Sequence, residues 1–168
     1  MPKYKAYQMR DLEGIAQEFL NLKHIAVAGV SSKGDTAANV VYKKLRETGY
    51  HVYAVNPNAE EVEGDPAFPN IAAIPEKPEG VVIAAHPDVT PEILYECGKL
   101  GVKMVWIHRS IGTGSYHPDA EKIATKYGIT LIPGSCPMMF CEPVDVVHKC
   151  MKWCIKTFGK EPVPVTRP

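Results

Sequence analysis

Short apolar runs along the chain alternate with longer segments in which apolar residues recur at helical spacing. The runs are continuous rather than mixed with polar residues, so they predict buried strands, at residues 25–30, 50–55, 81–85, 103–107 and 129–132. The helical spacing predicts amphipathic helices, at residues 10–21, 37–47, 90–100, 119–126 and 145–158. This alternation predicts an α/β fold with a doubly wound, mainly parallel sheet of about five to six strands and helices on both faces.

Local signals refine these elements. Residues 1–9 are expected to form an irregular arm, and Thr90 is expected to cap a helix whose first turn contains Pro91. Residues 58–79 are rich in proline and predict a long connection, with one short strand or helical turn near residues 68–73. No domain boundary is visible. We therefore predict a single domain over residues 1–168, with a core at about 20–140 and the helices 10–21 and 145–158 packed on it.

The turns that follow the strands are the expected ligand-binding edge. Right-handed crossovers bring the carboxyl ends of parallel strands to one edge, and ligands bind there at the switch point of strand order. In this chain the turns are residues 29–34, 55–58, 85–88, 107–113 and 132–137.

The first of these turns has the pattern Gly29-x-Ser31-x-x-Gly34 and leads into a helix. Glycine permits a tight turn, and serine is small with a hydroxyl that can donate to a phosphate oxygen. The free N–H groups and the dipole of the following helix favour an anion there. The alternative is a plain strand-to-helix turn, because short glycine motifs are weak evidence on their own.

The end of the second strand bears on which nucleotide would bind. Dehydrogenases usually carry a carboxylate there to hold the ribose of NAD, whereas this chain has Asn56-Pro57, and Glu60 already lies in the loop. This argues against NAD but not against an adenine nucleotide with an additional phosphate. Lys33 either supplies a counter-charge or is a solvated loop residue.

Composition excludes several classes of function. The 168 residues are 45% apolar, and 19 basic residues balance 19 acidic ones, so no global field would hold nucleic acid or a membrane surface. The apolar runs are too short to span a bilayer, and the first residues do not resemble a signal peptide. We expect a cytoplasmic protein whose five cysteines are thiols.

At this point the sequence resembles the CoA-binding domain family. The resemblance rests on residues 25–31, on Val55-Asn56-Pro57 and on Glu61-Val62-x-Gly64, and it covers about residues 20–140. It implies a Rossmann-like fold of three α/β/α layers, shared with the N-terminal domain of the succinyl-CoA synthetase α subunit. It also implies coenzyme A lying across the sheet edge, with its phosphates at the first turn and its adenosine end near Asn56-Pro57 and His86-Pro87.

The turn at Pro133-Gly134-Ser135-Cys136-Pro137 is similar to the Gly-Pro-Asn-Cys-Pro turn of that synthetase subunit, which lies near the thiol end of CoA. The match is inexact, because the first pair is inverted and serine replaces asparagine. Cys136 is therefore either a contact of the pantetheine thiol or a small residue that packs the turn. The full set of residues expected to bind the cofactor is Gly29, Val30, Ser31, Ser32, Lys33, Asn56, Pro57, Ala85, His86, Pro87, Ile107 and Cys136.

Catalytic assignments remain open at the level of sequence. His108 is a candidate general base and Arg109 a candidate partner for a phosphate or carboxylate, or both are solvated loop residues. None of the six histidines matches the context of the synthetase phosphohistidine, so no ligase reaction is expected of this chain alone. The spacing of Cys136, Cys141, Cys150 and Cys154 does not match the two tight pairs of structural zinc, and no metal site is predicted.

Three hypotheses follow. The first is a module that binds CoA or a short acyl-CoA, as a possible homo-oligomer or as the partner of an acyl-CoA enzyme. The second is an enzyme, either a small NAD(P)-dependent oxidoreductase or a CoA-dependent transferase using Cys136 or His108. The third is CoA held in a mixed disulfide with Cys136, which requires an exposed Cys136 thiolate.

Overall fold

Seven strands and five helices make up the protein in the computed structural model, which describes residues 2–109, 112–158 and 165–168. The helices are α1 (Pro2–Leu20), α2 (Ala37–Glu47), α3 (Thr90–Leu100), α4 (Ala120–Tyr127) and α5 (Val146–Phe158). The strands are β1 (His24–Ala28), β2 (His51–Val55), β3 (Glu61–Val62), β4 (Asp65–Phe68), β5 (Gly80–Ile83), β6 (Met104–Ile107) and β7 (Thr130–Ile132). Short 3₁₀ turns span Ile71–Ala73, Pro87–Val89 and Pro137–Met139.

The strands form one sheet in the order β3-β4-β2-β1-β5-β6-β7. All pairings are parallel except the short hairpin between β3 and β4. The chain builds outward from β1 to β2 and then returns to the other side of β1 with β5. The topological switch point therefore lies between β1 and β5, and a ligand crevice is expected at their carboxyl ends.

Successive residues of each central strand enter different apolar clusters. Ile25, Val27 and Trp106 belong to the cluster covered by α1, α2 and the segment around Phe140. Ala26, Ala28, Val81 and Ile83 belong to the cluster covered by α3 and α4. The sheet is thus buried on both faces, which explains why its strands are continuous apolar runs. The predicted three-layer α/β/α fold is confirmed, with seven strands rather than five or six.

Two local predictions were wrong. Residues 2–9 are not an irregular arm, because α1 begins at Pro2, a residue tolerated in a first helical turn. Thr90 is not a cap: it is the first residue of α3, and its buried hydroxyl donates to the carbonyl oxygen of Ser115 at 2.7 Å. The helical turn expected near residues 68–73 is present as the 3₁₀ turn Ile71–Ala73. The same connection also contains a β-hairpin that was not predicted, with positive φ at Glu63 (53°) and Gly64 (79°) as a tight hairpin turn requires.

Within the described residues, no helix combines the length and the apolar character needed to cross a bilayer. Ser110 and Ile111 of the predicted turn at 107–113 lie outside the described residues.

A polar cluster joins α2 to the hairpin. The Tyr42 hydroxyl donates to the Asp65 carboxylate at 2.8 Å, and the Arg46 guanidinium forms an ion pair with the same carboxylate. The bond from Tyr42 and then those from Arg46 hold the pKa of Asp65 below its usual value, although partial burial opposes them. Burial and the bond to Asp65 raise the pKa of Tyr42, so its hydroxyl stays protonated as the donor.

We expect Asp65→Asn to destabilise the protein by about 1 kcal/mol at pH 7, since the pair is partly exposed. A carboxyl group whose pKa is depressed by folding stabilises the protein above its unfolded-state pKa, and the contribution is lost as pH falls through its folded-state pKa. The difference between wild type and variant should therefore shrink below about pH 4. Urea unfolding at pH 7 and pH 3 measures it, with Asp11→Asn, at an exposed position of α1, as control. A difference that does not change with pH would contradict this origin.

Candidate functional site

The turn after β1 lies directly against the tip of β5. Gly29 has φ of 101°, and its N–H donates to the Val55 carbonyl oxygen at 3.1 Å. A Cβ at this position would lie 2.4 Å from the carbonyl oxygen of Ala84. Only glycine fits, because both the backbone angle and the space exclude a side chain. The predicted phosphate-binding turn is therefore located at the switch point between β1 and β5.

The loop after Gly29 is held by Asn39, a fully buried residue in the first turn of α2. Its side-chain oxygen accepts from the Ser31 N–H at 2.9 Å, and its amide nitrogen donates to the Ser31 carbonyl at 2.8 Å and to Glu63 at 2.6 Å. Hydrogen bonds within the protein therefore hold the loop in this conformation. Sequence reasoning missed Asn39, although an amide in the first turn of the helix after a glycine loop was an available signal.

The same loop exposes groups that can bind an anion. Ser32 and Lys33 are exposed just before α2, an 11-residue helix whose N-cap Thr36 accepts from the Asn39 N–H at 3.3 Å. The Ser31 side-chain oxygen accepts from the Lys33 N–H at 3.1 Å, so its own hydrogen can still be donated. A phosphate here would meet donors, a cation and the positive end of the helix dipole.

Asn39→Ala should destabilise the protein by about 2 kcal/mol, because both backbone groups of Ser31 and the Glu63 carboxylate lose a partner. Urea unfolding measures this, with the exposed neighbour Val40→Ala as control. Asn39→Asp should cost at least as much, because it sets a second carboxylate beside Glu63. An Asn39→Ala variant as stable as Val40→Ala would contradict the assigned role.

Asn56, at the end of β2, uses its side chain within the protein. Its amide nitrogen donates to the Val30 carbonyl at 2.8 Å, and its side-chain oxygen accepts from the Asn58 N–H at 2.8 Å. Asn56 thereby links the first two turns of the ligand edge. Pro57 and Asn58 are exposed beside it. The end of β2 therefore has no carboxylate that could accept hydrogen bonds from ribose hydroxyls.

The third turn contains Ala85, which is half-buried, and His86, which is exposed. His86 Nδ1 accepts from the Asp88 N–H at 3.4 Å and lies 3.4 Å from the Asp88 carboxylate. An open groove of about 640 Å³ begins here and continues along α3, where Glu92 and Glu96 also line it. Three carboxylates and one lysine, Lys99, line this groove, so its net negative charge disfavours phosphate groups and the phosphate end of a ligand is better placed at Gly29.

The turn at residues 133–137 is buried throughout. The Trp106 indole donates to the Gly134 carbonyl at 2.9 Å, and the Arg109 N–H donates to the Ser135 carbonyl at 2.9 Å. Cys136 is only 4% exposed, and burial raises the pKa of its thiol to about 11. The mixed-disulfide hypothesis required an exposed thiolate, and this structure holds Cys136 as a buried thiol instead.

His108 is half-buried at the end of β6. Burial lowers its pKa, and the neighbouring His148 lowers it further, so the ring is neutral near pH 7 and can accept a proton. Arg109 is engaged locally: its Nε donates to the Gly112 carbonyl at 2.6 Å, and its guanidinium lies 5.7 Å from the Tyr116 ring centre. His108 therefore remains a candidate general base, whereas the Arg109 side chain is held by contacts within its own turn.

The predicted binding residues thus all lie along the carboxyl edge of the sheet, but they differ in what they can offer. The side chains of Val30 and Ile107 are fully buried, so only their main-chain atoms can face a ligand. Cys150 and Cys154 are exposed on α5, whereas Cys136 and Cys141 are buried. Across the described residues, no group of three or more His, Cys, Asp or Glu side chains is placed to hold a metal ion.

Comparison with known proteins finds relatives of this chain. The chain is 36% identical over 125 residues to the α subunit of an ADP-forming acetate–CoA ligase II of Pyrococcus furiosus, covering 70% of this chain and 27% of that subunit. A hypothetical protein from Pyrococcus horikoshii has a similar structure, with a TM-score of 0.71 and 34% identity over 79% of this chain and 91% of that one. The Bacillus subtilis protein YneT is 25% identical, and the match covers 82% of its length.

The ligase relatives are much longer than the matched region, which spans only about a quarter of the P. furiosus subunit. The P. horikoshii protein and YneT instead match over most of their lengths. The CoA binding domain itself matches residues 23–142, which run from the start of β1 to just beyond the buried turn. On this match, the chain belongs to the CoA-binding domain family.

Proposed function

We propose that this protein binds coenzyme A, or a short acyl-CoA, as a binding module without ligase activity of its own. The observation that carries the proposal is the Gly29 turn. It approaches the tip of β5 too closely for any side chain, and it presents Ser32, Lys33 and the start of α2 to an anion. Membership of the CoA-binding domain family supports CoA as the source of that anion.

The ligand would follow the strand tips in order. Its diphosphate would meet the turn of residues 29–33, and its adenosine end would lie between Asn56-Pro57 and Ala85-His86-Pro87. Its pantetheine arm would pass the main chain of Ile107 toward the turn that contains Cys136. The absence of a carboxylate at Asn56-Pro57 supports CoA over NAD, because no group there would hold the ribose hydroxyls of NAD or repel an additional phosphate.

Isothermal titration calorimetry with CoA, acetyl-CoA, NAD and NADP tests this function. We expect CoA to bind at least about tenfold more tightly than either dinucleotide, a difference of about 1.4 kcal/mol. Ser31→Phe should abolish CoA binding by filling the phosphate site. Thr125→Phe, on the exposed surface of α4, is the control and should bind like wild type. Binding of NAD or NADP without CoA would overturn the proposal and favour a small oxidoreductase.

We place the binding module in the cytosol, with an acyl-CoA enzyme or a second copy of this chain as its macromolecular partner. The occurrence of a related region within longer acetate–CoA ligases supports an acyl-CoA enzyme. A transferase role for His108 would require acyl transfer in the presence of purified protein, which an assay with acetyl-CoA and a thiol acceptor measures.

A further inference from the structure

Helix α5 carries apolar residues on two opposite faces. On one face, Met151 and Ile155 pack against the apolar cluster that also contains residues of α1 and α2. On the opposite face, five residues without charge are exposed, and we call them the outer row: Val146, Val147, Cys150, Trp153 and Cys154. A helix at the surface of a domain ordinarily carries charged and polar residues on its outer face, so this second apolar face is unusual.

The outer row is one continuous patch rather than a set of scattered residues. Val146, Val147 and Trp153 are 81%, 66% and 59% exposed, and the two cysteines are exposed free thiols. Since each residue of a helix turns the chain by about 100°, the five side chains fall within about 120° of the helix surface and extend over about 12 Å. Single exposed apolar residues are common, whereas a contiguous patch marks an interaction surface.

The outer row is symmetric about Cys150. Val147 and Trp153 lie three positions before and after it, and Val146 and Cys154 lie four positions before and after it. If two copies of α5 cross antiparallel at Cys150, Val147 of each copy faces Trp153 of the other. The small side chain then lies opposite the large ring. A two-fold interface requires such a self-complementary surface, because the same patch must serve both partners.

The charges beside the outer row favour the same pairing. Asp145, Lys149 and Lys156 are exposed and follow one side of the row. A two-fold antiparallel arrangement brings this side of both copies together with opposite direction, so Lys156 of each copy lies beside Asp145 of the other. The two Lys149 side chains come closer to each other, but they lie at the edge of the interface, where water and salt screen their repulsion.

We propose that the outer row of α5 is a dimer interface and that its occupant is the outer row of a second copy of this chain, antiparallel about a two-fold axis at Cys150. The surface lies beyond residues 23–142, which match the CoA binding domain, and the inference does not depend on CoA binding. A single pair of helices buries less area than a permanent dimer needs, so we expect a dissociation constant of about 1–100 μM.

Sedimentation equilibrium of the full chain with reductant present, at concentrations from about 1 to 500 μM, measures the dissociation constant. Cys150→Glu should raise it at least about tenfold, because the two carboxylates would face each other across the two-fold axis. Val40→Glu is the matched control, since Val40 is an exposed apolar residue of α2 outside the outer row. It should leave the dissociation constant unchanged, and urea unfolding shows that both variants are folded.

Thiol cross-linking tests the antiparallel register. Cys154→Ser leaves Cys150 as the exposed thiol, and Cys150→Ser leaves Cys154. At the crossing point of two helices about 8–10 Å apart, facing Cα atoms come within the reach of a disulfide, about 4.4–6.8 Å. The two Cys154 residues would be displaced by about 12 Å along the helix axis. Diamide, which takes up the two thiol hydrogen atoms, should therefore link Cys154→Ser into a disulfide dimer and leave Cys150→Ser monomeric on a non-reducing gel.

These measurements contain no CoA, so their failure is distinct from failure of the proposed function. A wild-type chain that stays monomeric at about 500 μM overturns the inference and leaves a different protein, such as an acyl-CoA enzyme, as the occupant of this surface. A dimer that Cys150→Glu does not weaken forms through another face and also overturns it. Cross-linking through Cys154 but not through Cys150 would contradict the antiparallel arrangement.

Discussion

Gly29→Ala should lose at least about 3 kcal/mol of stability and all measurable CoA binding. The new methyl group would lie 2.4 Å from the Ala84 carbonyl oxygen and 2.8 Å from the Ala84 carbonyl carbon, and these backbone atoms cannot rotate away. The φ of 101° adds backbone strain for any residue other than glycine. Relief requires β1 and β5 to separate at the switch point, where the phosphates are proposed to bind.

Urea unfolding and calorimetry with CoA measure these two effects, and Gly64→Ala provides the comparison. Gly64 also has a left-handed backbone, with φ of 79°, but apart from its two chain neighbours no heavy atom of the described residues lies within 4 Å of the position of its missing Cβ. Its substitution should cost only the backbone strain, about 1 kcal/mol, and leave CoA binding intact. If Gly29→Ala costs no more than Gly64→Ala, the close contact with β5 is not what requires glycine.

Trp106→Ala should destabilise the protein by about 3–5 kcal/mol, which is typical of deleting a fully buried aromatic side chain. The indole packs edge-on against Phe19, with ring centres 5.4 Å apart, and lies 5.8 Å from the Phe140 ring. It therefore joins α1, the sheet and the segment after β7. If the alanine variant does not fold, Trp106→Phe can be used instead. It keeps most of the apolar contact and removes only the hydrogen bond from the indole to the Gly134 carbonyl.

Trp106→Phe should cost about 1–3 kcal/mol, because the buried Gly134 carbonyl loses its donor at 2.9 Å. Phe19→Leu is the comparison, since it weakens the same aromatic contact without affecting a hydrogen bond, and it should cost less. Denaturant unfolding gives both values. Equal losses would mean that packing alone determines the effect and that the indole N–H does not hold the turn at residues 133–137.

The sequence predicted the central architecture closely. The predicted helix at 37–47 coincides with α2, and each predicted strand overlaps an observed strand. These elements were predictable because burial on both faces produces continuous apolar runs, and because Gly101 and Gly128 adopt the left-handed conformation that ends a helix. The β3–β4 hairpin was missed because its strands are very short and its turn places the non-glycine residue Glu63 at positive φ.

The candidate site was predicted less completely. The turns were assigned to one edge from the crossover rule, and Gly29 was identified from its motif. Asn39 was missed because its role depends on a partner that a local pattern does not reveal. Its side-chain amide donates to Glu63 across 24 positions of sequence.

By itself, the sequence determined that this protein has a doubly wound parallel sheet with a glycine turn after its first strand. Hydrophobic periodicity and glycines at the ends of helices and strands are local properties, so they can be recognised from the sequence alone. Only the tertiary structure decided that Gly29 touches Ala84, that Cys136 is buried as a protonated thiol and that the Ser135 hydroxyl lacks a partner among the described residues. Contact, desolvation and hydrogen bonding depend on which distant segments meet in space, and those properties determine the chemistry available at the edge of the sheet.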